Sequence, residues 1–333
     1  MNTPHPQSLS ARETEGPSAG RNGVRVKNPD RPEVEVATVS ARSDLKSRLV
    51  SGKTIVAPGA YDPISARLVQ SLGFDTIYTG GYMSGAHLAV TEPLMTMTEQ
   101  VEVAARVARS VPLPVICDAD AGYGDPVHTM HCVRTFEGAG IAGIHIEDQV
   151  FPKRASYHAG LEHIIPMDEF LEKMRYALQA RTDPDFLIIG RTDAFSAVEG
   201  DMDEAIRRGN ALRDLGVDVV MPRGVRQRED LDTYRKGVPG VPLLVIAGTD
   251  DITVQEYADL GYQMMIYATS PIIAAVDGLR QVYQSLKDTG HIGIDSQRVA
   301  SMRSEVESLI SLPEYQQVEA QTTERDFQDR ARH

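Results

Sequence analysis

The chain has 333 residues, of which 41% are hydrophobic and 24% charged, and its formal net charge is −13. The composition is ordinary for a globular protein, and the negative charge disfavours nonspecific binding to nucleic acids and to anionic membranes. No apolar run approaches the roughly 18 residues that span a bilayer, and the N-terminus lacks the apolar core of a signal peptide. The two cysteines, Cys117 and Cys132, have no metal-type spacing, so we predict a cytoplasmic protein without disulfides.

Residues 1–42 are rich in Pro, Ser, Gly and charged residues and show no apolar period, which predicts a disordered extension. A first helix is predicted to start near Ser43 and to run through Leu45 and Leu49. From residue 54 onward, short apolar runs alternate with segments of helical periodicity. The predicted strands are Thr54–Ala57, Thr76–Thr79, Val115–Asp118, Gly143–Glu147, Phe186–Gly190, Asp218–Met221, Leu243–Ala247 and Met264–Tyr267. The predicted helices lie near 62–73, 98–110, 126–139, 168–181, 201–215, 227–236, 253–260 and 270–288.

This alternation predicts an α/β fold in which every strand is parallel to the next, because each helix is a crossover connection. Eight such units indicate a (β/α)8 TIM barrel, residues 43–290, which would be the catalytic domain. A doubly wound open sheet is the alternative, but no Gly-x-Gly-x-x-Gly follows the first strand. Two more helices are predicted at 295–311 and 313–331, so residues 291–333 form a C-terminal helical segment that is free to pack on a partner subunit.

Two acids follow the third predicted strand in the stretch Val115–Gly124. Asp118 and Asp120 are two residues apart, a spacing that directs both side chains to the same side of a strand. Two carboxylates held that close repel each other unless a cation offsets the repulsion. Mg2+ is the usual cation at an all-oxygen site with a small anionic substrate. The alternative is a strand end whose acids cap the following helix.

Other polar residues also fall at the carboxyl ends of the predicted strands, where a parallel barrel gathers its chemistry. Glu147 and Asp148 end the fourth strand, Arg191 follows the fifth and Arg223 the sixth. A metal beside cationic groups suits a carboxylate or phosphonate substrate. Structural alternatives are a helix N-cap for Asp62 and Asp193, an ion-pair partner for Arg191, a core position for His145, and surface positions for His158 and His163.

Five segments of the chain, 57–62, 79–81, 118–124, 145–149 and 190–194, together form a family pattern. Through these segments the chain resembles the isocitrate lyase / phosphoenolpyruvate mutase superfamily from about residue 50 to 290. The resemblance implies a Mg2+-dependent (β/α)8 barrel that cleaves or forms C–C or P–C bonds beside a 2-oxo acid or its enolate. It also implies a homotetramer, a dimer of dimers whose late helix is exchanged between neighbours.

By position, the resemblance implies roles for most candidate site residues. The metal would be held by Asp118, Asp120, Glu147 and Asp148, with Mn2+ as the alternative ion. The substrate would contact Tyr61, Thr79, Gly80, Gly81 and Arg191, and the catalytic residues would include Asp62, Lys153 and Arg191. At positions where the chain departs from the family, we add Arg223 as the group that binds a distal carboxylate and Tyr157 and His158 as catalytic residues.

The loop after the fourth strand departs from the lyases. Their catalytic cysteine is replaced by Ala155, which cannot transfer a proton, so we predict Tyr157 or His158 as the proton donor. The mutases and phosphonopyruvate hydrolases have an asparagine at this same position. After strand six the usual Pro-Glu reads Pro222-Arg223, and after strand seven the usual asparagine gives way to the apolar run 245–247.

We therefore predict a Mg2+-dependent carbon–carbon lyase that acts on a small 2-hydroxy or 2-oxo dicarboxylate through an enolate and releases a 2-oxo acid. An oxaloacetate-type decarboxylase is the first alternative, because it needs no dedicated cleavage acid. A P–C bond mutase or hydrolase and a non-catalytic, metabolite-binding relative are further alternatives. No nucleic-acid or membrane partner is expected.

Overall fold

The computed structural model describes residues 40–155, 157–248 and 252–323. The predicted extension therefore lies outside the described residues except at its end, where Ala41 and Arg42 already belong to the first helix. Ser40 caps this helix, since its side chain accepts a hydrogen bond from the Ser43 N–H. The predicted helix at 313–331 falls partly outside the described residues as well. No helix in the described part of the chain combines the length and the apolar character needed to cross a bilayer.

Eight parallel strands in the described residues form the predicted barrel. Backbone pairing divides them into two sheets, β1-β8-β7 and β2-β3-β4-β5-β6. Isolated parallel bridges, Gly59 to Tyr78 and Val220 to Leu243, join the sheets at both seams. The strands are β1 Ile55–Pro58, β2 Ile77–Thr79, β3 Val115–Asp118, β4 Gly143–Glu147, β5 Leu187–Thr192, β6 Val219–Pro222, β7 Leu244–Ile246 and β8 Met264–Tyr267.

Each predicted helix has a counterpart, and one helix was not predicted. Gly81–His87 forms a seven-residue helix directly after β2, in a stretch for which we predicted neither a helix nor a strand. A short 3-10 helix, Glu92–Leu94, follows it. The α-helices are α1 Ala41–Val50, α2 Pro63–Ser71, α3 Gly81–His87, α4 Met97–Ser110, α5 Pro126–Gly138, α6 Met167–Ala180, α7 Met202–Leu215, α8 Arg228–Gly237, α9 Val254–Asp259, α10 Ser270–Thr289, α11 Ser296–Leu309 and α12 Leu312–Gln321.

Strand side chains alternate between two apolar layers, as the pleat requires. One layer fills the barrel interior, where Ile116, Ile189 and Met264 are fully or almost fully buried. Leu45 and Leu49 of α1 join this interior layer, so α1 closes one end of the barrel. The second layer lies between the strands and the surrounding helices. The carboxyl ends of the strands remain available for a site at the opposite end.

The last helices pack differently from the rest. None of the residues of α10, α11 or α12 is buried in the single chain. Helix α10 carries an apolar stripe whose side chains are about half exposed, at Ile273, Val276, Leu279, Tyr283 and Leu286. The turn between α11 and α12 is nevertheless tied to the barrel, because Arg67 of α2 donates hydrogen bonds to the Leu309 carbonyl and the Ser311 hydroxyl.

Candidate active site

The turn after β3 begins the site. Asp118 is the last residue of β3, and its Oδ1 accepts a hydrogen bond of 2.8 Å from the Asp120 N–H. Asp120 has φ +53° and Tyr123 has φ +58°, although neither is a glycine. The left-handed conformation costs a residue with a Cβ atom about 1 kcal/mol. The turn thus holds Asp118 and Asp120 near each other in a backbone conformation that is locally unfavourable.

Lys153, from the loop after β4, places its ammonium among four carboxylates. Its Nζ lies 2.8 Å from Glu92, 3.4 Å from Asp118, 3.5 Å from Asp120 and 3.6 Å from Glu147. The Lys153 side chain is only 3% exposed. The single positive charge of Lys153 therefore lies among four carboxylates, which leaves an excess of negative charge around its ammonium group.

The pKa values of this cluster follow from burial and mutual charge. Burial lowers the pKa of Lys153, but Asp118 and Asp120 outweigh burial and raise it well above its usual value. Burial raises the pKa of Asp118, whereas Lys153 and His145 lower it more, so the net direction is down. Burial raises the pKa of Glu147 well above its usual range, and Arg191 and Lys153 offset only part of that rise. The site thus lacks enough positive charge to stabilise all of its carboxylates.

Arg191 is the second buried cation, and it lies on the interior face of β5. Its Nε and Nη2 donate to the two oxygens of Asp193 at 2.7 and 2.9 Å. Its Nη1 is 2.6 Å from Glu147 Oε2, although the N–H does not point at that oxygen. Asp193 is not a helix N-cap, because α7 starts at Met202 with Asp201 as its cap. Asp193 instead fixes the orientation of the Arg191 guanidinium.

The acid cluster fits a divalent cation. Oxygens of Asp118 and Glu147 and one ring nitrogen of His145 lie within 4.8 Å of one another. Both Glu147 oxygens and His145 Nδ1 are buried and make no hydrogen bond. A buried acceptor without a partner is costly, and a cation with its bound water would satisfy these atoms. His145 is a buried interior residue whose Nε2 pairs with the Tyr78 hydroxyl at 2.9 Å.

A cavity of about 300 Å3 opens beside this cluster at the carboxyl ends of the strands. At roughly 30 Å3 per water molecule, it has room for about ten waters, or for a small substituted dicarboxylate. Asp120 lies in a smaller adjoining pocket that also includes Glu92 and Lys153. The predicted site residues that line the main cavity are Gly80, Gly81, Asp118, Lys153, Tyr157, Arg191 and Arg223.

Gly80 and Gly81 begin α3, so their backbone N–H groups lie at a helix N-terminus facing the cavity. The Gly81 N–H is 3.4 Å from Asp118 Oδ2. The Thr79 hydroxyl is already used, since it donates to the Ala60 carbonyl at 3.0 Å. Tyr61 is half-buried and its ring lies 5.6 Å from that of His87. Neither Thr79 nor Tyr61 lines the cavity.

The loop after β4 is held over the cavity by two side-chain contacts. The Tyr157 hydroxyl donates to Glu92 Oε2 at 2.8 Å. His158 Nε2 pairs with the Thr91 hydroxyl at 2.9 Å. Tyr157 and Ala155 line the cavity, whereas His158 lines a separate groove. Of the two predicted proton donors, only Tyr157 therefore faces the substrate space.

Three predicted site residues have other roles in this structure. Asp62 caps α2, where its side chain accepts from the Ser65 N–H at 2.8 Å in a capping box. Asp148 points away from the acid cluster because strand side chains alternate, and it bonds Thr192 and Arg208 at 2.6 and 3.0 Å. Burial first, and then Asp193, raises the pKa of Asp148 to about 6.

The third is Arg223, which the sequence predicts as the partner of a distal substrate carboxylate. The Arg223 side chain already forms an ion pair with Glu162 and donates to the Ser196 hydroxyl at 3.0 Å. Its guanidinium lines the cavity but is occupied by these partners.

Sequence reasoning missed Glu92. This acid follows α3 and not a strand, so the rule that searches strand ends does not reach it. It contacts both Lys153 and Tyr157. The sequence around Glu92 has no spacing that relates this acid to the residues at the strand ends.

Comparison with known proteins gives a consistent family. The family model described as phosphoenolpyruvate phosphomutase matches residues 45–287. The chain is 35% identical to 2,3-dimethylmalate lyase from Eubacterium barkeri, over 84% of this chain and 98% of the relative. The structure of oxaloacetate acetylhydrolase with 3,3-difluorooxalacetate superposes with a TM-score of 0.78 at 28% identity, covering 86% of this chain and 98% of the other.

Phosphonopyruvate hydrolase, whose structure was solved with oxalate and Mg2+, superposes with a TM-score of 0.74 at 28% identity and covers 85% of this chain and 99% of its own. These relatives confirm the predicted class, a carbon–carbon lyase or a closely related enzyme. The chain belongs to the PEP mutase/isocitrate lyase superfamily.

Proposed function

We propose that the protein is a Mg2+-dependent carbon–carbon lyase that cleaves a small 2-hydroxy dicarboxylate through an enolate and releases a 2-oxo acid. The observation that carries this proposal is the convergence of three groups on one cavity: the Gly80 and Gly81 amides, the Arg191 guanidinium, and the acid cluster around Asp118. Relatives that act on dimethylmalate and oxaloacetate support the substrate class.

We assign the metal to Asp118, Asp120 and Glu147, with Glu92 in place of Asp148. Mg2+ suits the oxygen-rich set, the phosphonopyruvate hydrolase bound to oxalate and Mg2+ supports it, and Mn2+ is the alternative ion. When bound, the metal would supply positive charge beside the substrate oxygen that becomes the carbonyl of the 2-oxo acid.

The residues that surround the metal site bind the substrate and stabilise the charge that forms during the reaction. The Gly80 and Gly81 N–H groups bind the carboxylate of the 2-oxo acid end, because a helix N-terminus favours an anion. Arg191 stabilises the negative charge on the 2-oxygen when the substrate hydroxyl loses its proton to a carboxylate of the acid cluster. As the carbon–carbon bond breaks, this oxygen becomes the carbonyl of the 2-oxo acid, and the bonding electrons remain on the departing carboxylate fragment as its enolate. Asp193 keeps the guanidinium in place before the substrate arrives, so little reorganisation is needed.

Tyr157 is the group that we assign to proton transfer. Burial and then the charge of Glu92 raise the pKa of Tyr157, so the hydroxyl keeps its proton at neutral pH. Its O–H donates to Glu92, which also contacts Lys153. Lys153 thereby links the acid cluster to the loop that carries Tyr157, and His158 anchors the same loop through Thr91.

An oxaloacetate-type decarboxylase is the second candidate. The observation that favours it is Ala155, which lines the cavity where the lyases have a cysteine. Loss of CO2 leaves the enolate of a 2-oxo acid beside the Gly81 and Arg191 groups, and it needs no acid to protonate a leaving group.

A product assay tests the proposal and separates the candidates. The purified protein is incubated with Mg2+ and a panel of 2-hydroxy and 2-oxo dicarboxylates that includes alkyl-substituted malates, and pyruvate, glyoxylate and CO2 are read together. A 2-oxo acid without CO2 supports the lyase, while CO2 with one 2-oxo acid supports the decarboxylase. Product that is formed equally in EDTA would contradict the metal assignment.

We further propose a homotetramer built as a dimer of dimers that exchange α10. The apolar stripe of α10 is uncovered in the single chain, although the helix that follows the last strand of a (β/α)8 barrel normally covers its own barrel. A second copy of the chain would cover the stripe, and residues 291–333 would pack at the same contact. The cytoplasm remains our proposed location, supported by two buried cysteines without a disulfide.

A further inference from the structure

Four arginines line the cavity. Three of them, Arg154, Arg191 and Arg223, already form hydrogen bonds or ion pairs within the chain. Arg191 is bound to Asp193 and lies against Glu147. Arg154 folds back on its own loop, where its Nη1 donates to the carbonyls of Pro152 and Lys153 at 3.2 and 3.0 Å. The remaining pair, Arg223 and Arg226, follows β6.

The turn after β6 separates the two arginines. Gly224 has φ +88°, and a Cβ atom there would come within 3.0 Å of the Ser196 hydroxyl oxygen, so the chain turns tightly at this point. Val225 is only 2% exposed and is anchored in the outer core layer. The anchored Val225 leaves Arg223 in its ion pair and places Arg226 at the surface, on the border of the cavity.

The ion pair with Glu162 gives Arg223 a structural role. Glu162 is 8% exposed, and its carboxylate forms the ion pair with Arg223. Asp193, the residue that orients Arg191, lies 3.9 Å from Arg223 Nε on the other side. Two acids thus offset the single charge of Arg223, and separating it from a buried partner to bind substrate would leave Glu162 buried and unpaired.

Arg226 differs from Arg223 both in its exposure and in its partners. It is exposed, it makes no hydrogen bond or ion pair within the described residues, and it lines both the main cavity and the adjoining groove beside Glu162. Its charge is therefore not offset by a neighbouring carboxylate of the described chain. The same cavity is also lined by the apolar side chains of Ile246 and Ala268, which form an apolar wall.

We propose that Arg226 is the specificity-determining residue that binds the distal carboxylate of the substrate, in place of Arg223. The inference rests on the proposed function, which fixes the other end of the substrate at Gly80, Gly81 and Arg191. A dicarboxylate held at both ends lies beside the apolar wall, so the substrate class is a 2-hydroxy dicarboxylate whose middle carbons carry alkyl groups and no further charge.

Binding measurements with malate and lactate test this inference, because the two acids share the 2-hydroxy acid end and only malate has a distal carboxylate. Titrations in Mg2+ use the parent chain, Arg226→Gln and the matched control Arg223→Gln. We expect the parent to prefer malate to lactate by about tenfold or more, the size of one hydrogen-bonded charge contact. Arg226→Gln should lose that preference and bind lactate as before, and Arg223→Gln should keep it.

Two results would overturn the inference: Arg226→Gln that keeps the full malate preference, or a control at Arg223 that loses it. Arg223→Lys, which retains the charge beside Glu162, replaces the control if Arg223→Gln does not fold. Oxalate would occupy only the 2-oxo acid end of the site, at Gly80, Gly81 and Arg191. Its binding therefore tests the proposed function separately from the role of Arg226. If oxalate binds with Mg2+ and malate binds no better than lactate, only the role of Arg226 fails. If the parent binds none of the three acids, both proposals fail.

Discussion

Lys153 Nζ lies 2.8 Å from Glu92 Oε1, and this contact joins the loop after β4 to the short 3-10 helix that follows α3. Both residues also face the carboxylates of Asp118 and Asp120. The ammonium of Lys153 is thus one of two buried cations, with Arg191, that the described residues provide to the acid cluster. A bound metal would share these carboxylates with it.

Replacement of this cation should make the fold depend on metal. In Lys153→Met the acids lose their ammonium, and breaking a buried charge cluster costs about 3–5 kcal/mol, or a Tm loss of roughly 6–20 °C for a domain of this size. We expect that loss in EDTA and recovery of much of it in Mg2+. Thermal unfolding of Lys153→Met and of the exposed control Lys236→Met measures it. Equal Mg2+ effects on both variants would contradict the prediction.

Glu92 should contribute to metal affinity even though it follows no strand. Glu92→Gln removes one negative charge near Asp118, and we expect a Mg2+ affinity about 10- to 100-fold lower. Titration calorimetry with Mg2+ measures this, and Glu102→Gln on the exposed face of α4 is the matched control. A Glu92→Gln variant with parental Mg2+ affinity would remove Glu92 from the metal site.

Tyr157 should control turnover more than binding. Tyr157→Phe retains the ring but not the proton, so we expect kcat to fall by a factor of about 10²–10⁴, while oxalate binding with Mg2+ changes little. His158→Gln should lower kcat less, because His158 contacts Thr91 and does not line the cavity. Full turnover by the double variant would exclude both residues as proton donors.

The apolar stripe of α10 should determine the assembly state. Leu279 is 51% exposed in the single chain, and Leu279→Glu would place a charge inside the proposed contact between copies. We expect a lower molar mass in light scattering coupled to size-exclusion chromatography. Gln281→Glu adds the same charge on the opposite side of α10 and should leave the mass unchanged. A parent chain that is monomeric at micromolar concentration would contradict the exchanged-helix assembly.

His145 should make stability depend on pH. Burial lowers its pKa from 6.5 to about 4, so the folded protein keeps the ring neutral while the unfolded chain takes up a proton below pH 6.5. Its contribution is complete above pH 6.5 and declines as the pH falls to 4, by about 3 kcal/mol in total. Urea unfolding in EDTA at pH 7.5 and 4.5 should show that His145→Gln loses less stability on acidification than the parent. An equal loss would contradict the assignment.

Most of the fold could be read from the sequence, because the strands are short apolar runs between polar turns and helices such as α4, α6 and α8 have a clear apolar period. Helix α3 was missed for a physical reason. Its seven residues include Gly81 and Gly85, which disfavour helix in isolation. Packing overrides that preference here, since Met83 and Ser84 are fully buried. Tertiary contacts of this kind cannot be read from local sequence.

The site was predictable where strand geometry determines it. Asp118, Glu147 and Arg191 face the barrel interior because they occupy inward positions of their strands. The same alternation turns Asp148 toward Thr192 and Arg208, so two acids that are adjacent in the sequence have different neighbours in the fold. The ion pair of Arg223 depends on Glu162, which is 61 residues away in the sequence. Long-range pairing of this kind determines which arginine remains available, and no spacing rule detects it.

The left-handed backbone at Asp120 and Tyr123 also has a consequence for engineering. Glycine at position 123 would remove about 1 kcal/mol of unfavourable conformation, but it would also remove the Tyr123 ring, which packs against the outer core layer and lies 6.3 Å from the ring of Phe151. Loss of a packed aromatic side chain costs about 3–5 kcal/mol, so the exchange would destabilise the fold. A search for heat-resistant variants should therefore leave position 123 unchanged, because the packing of its ring maintains the turn that holds Asp120 against Asp118.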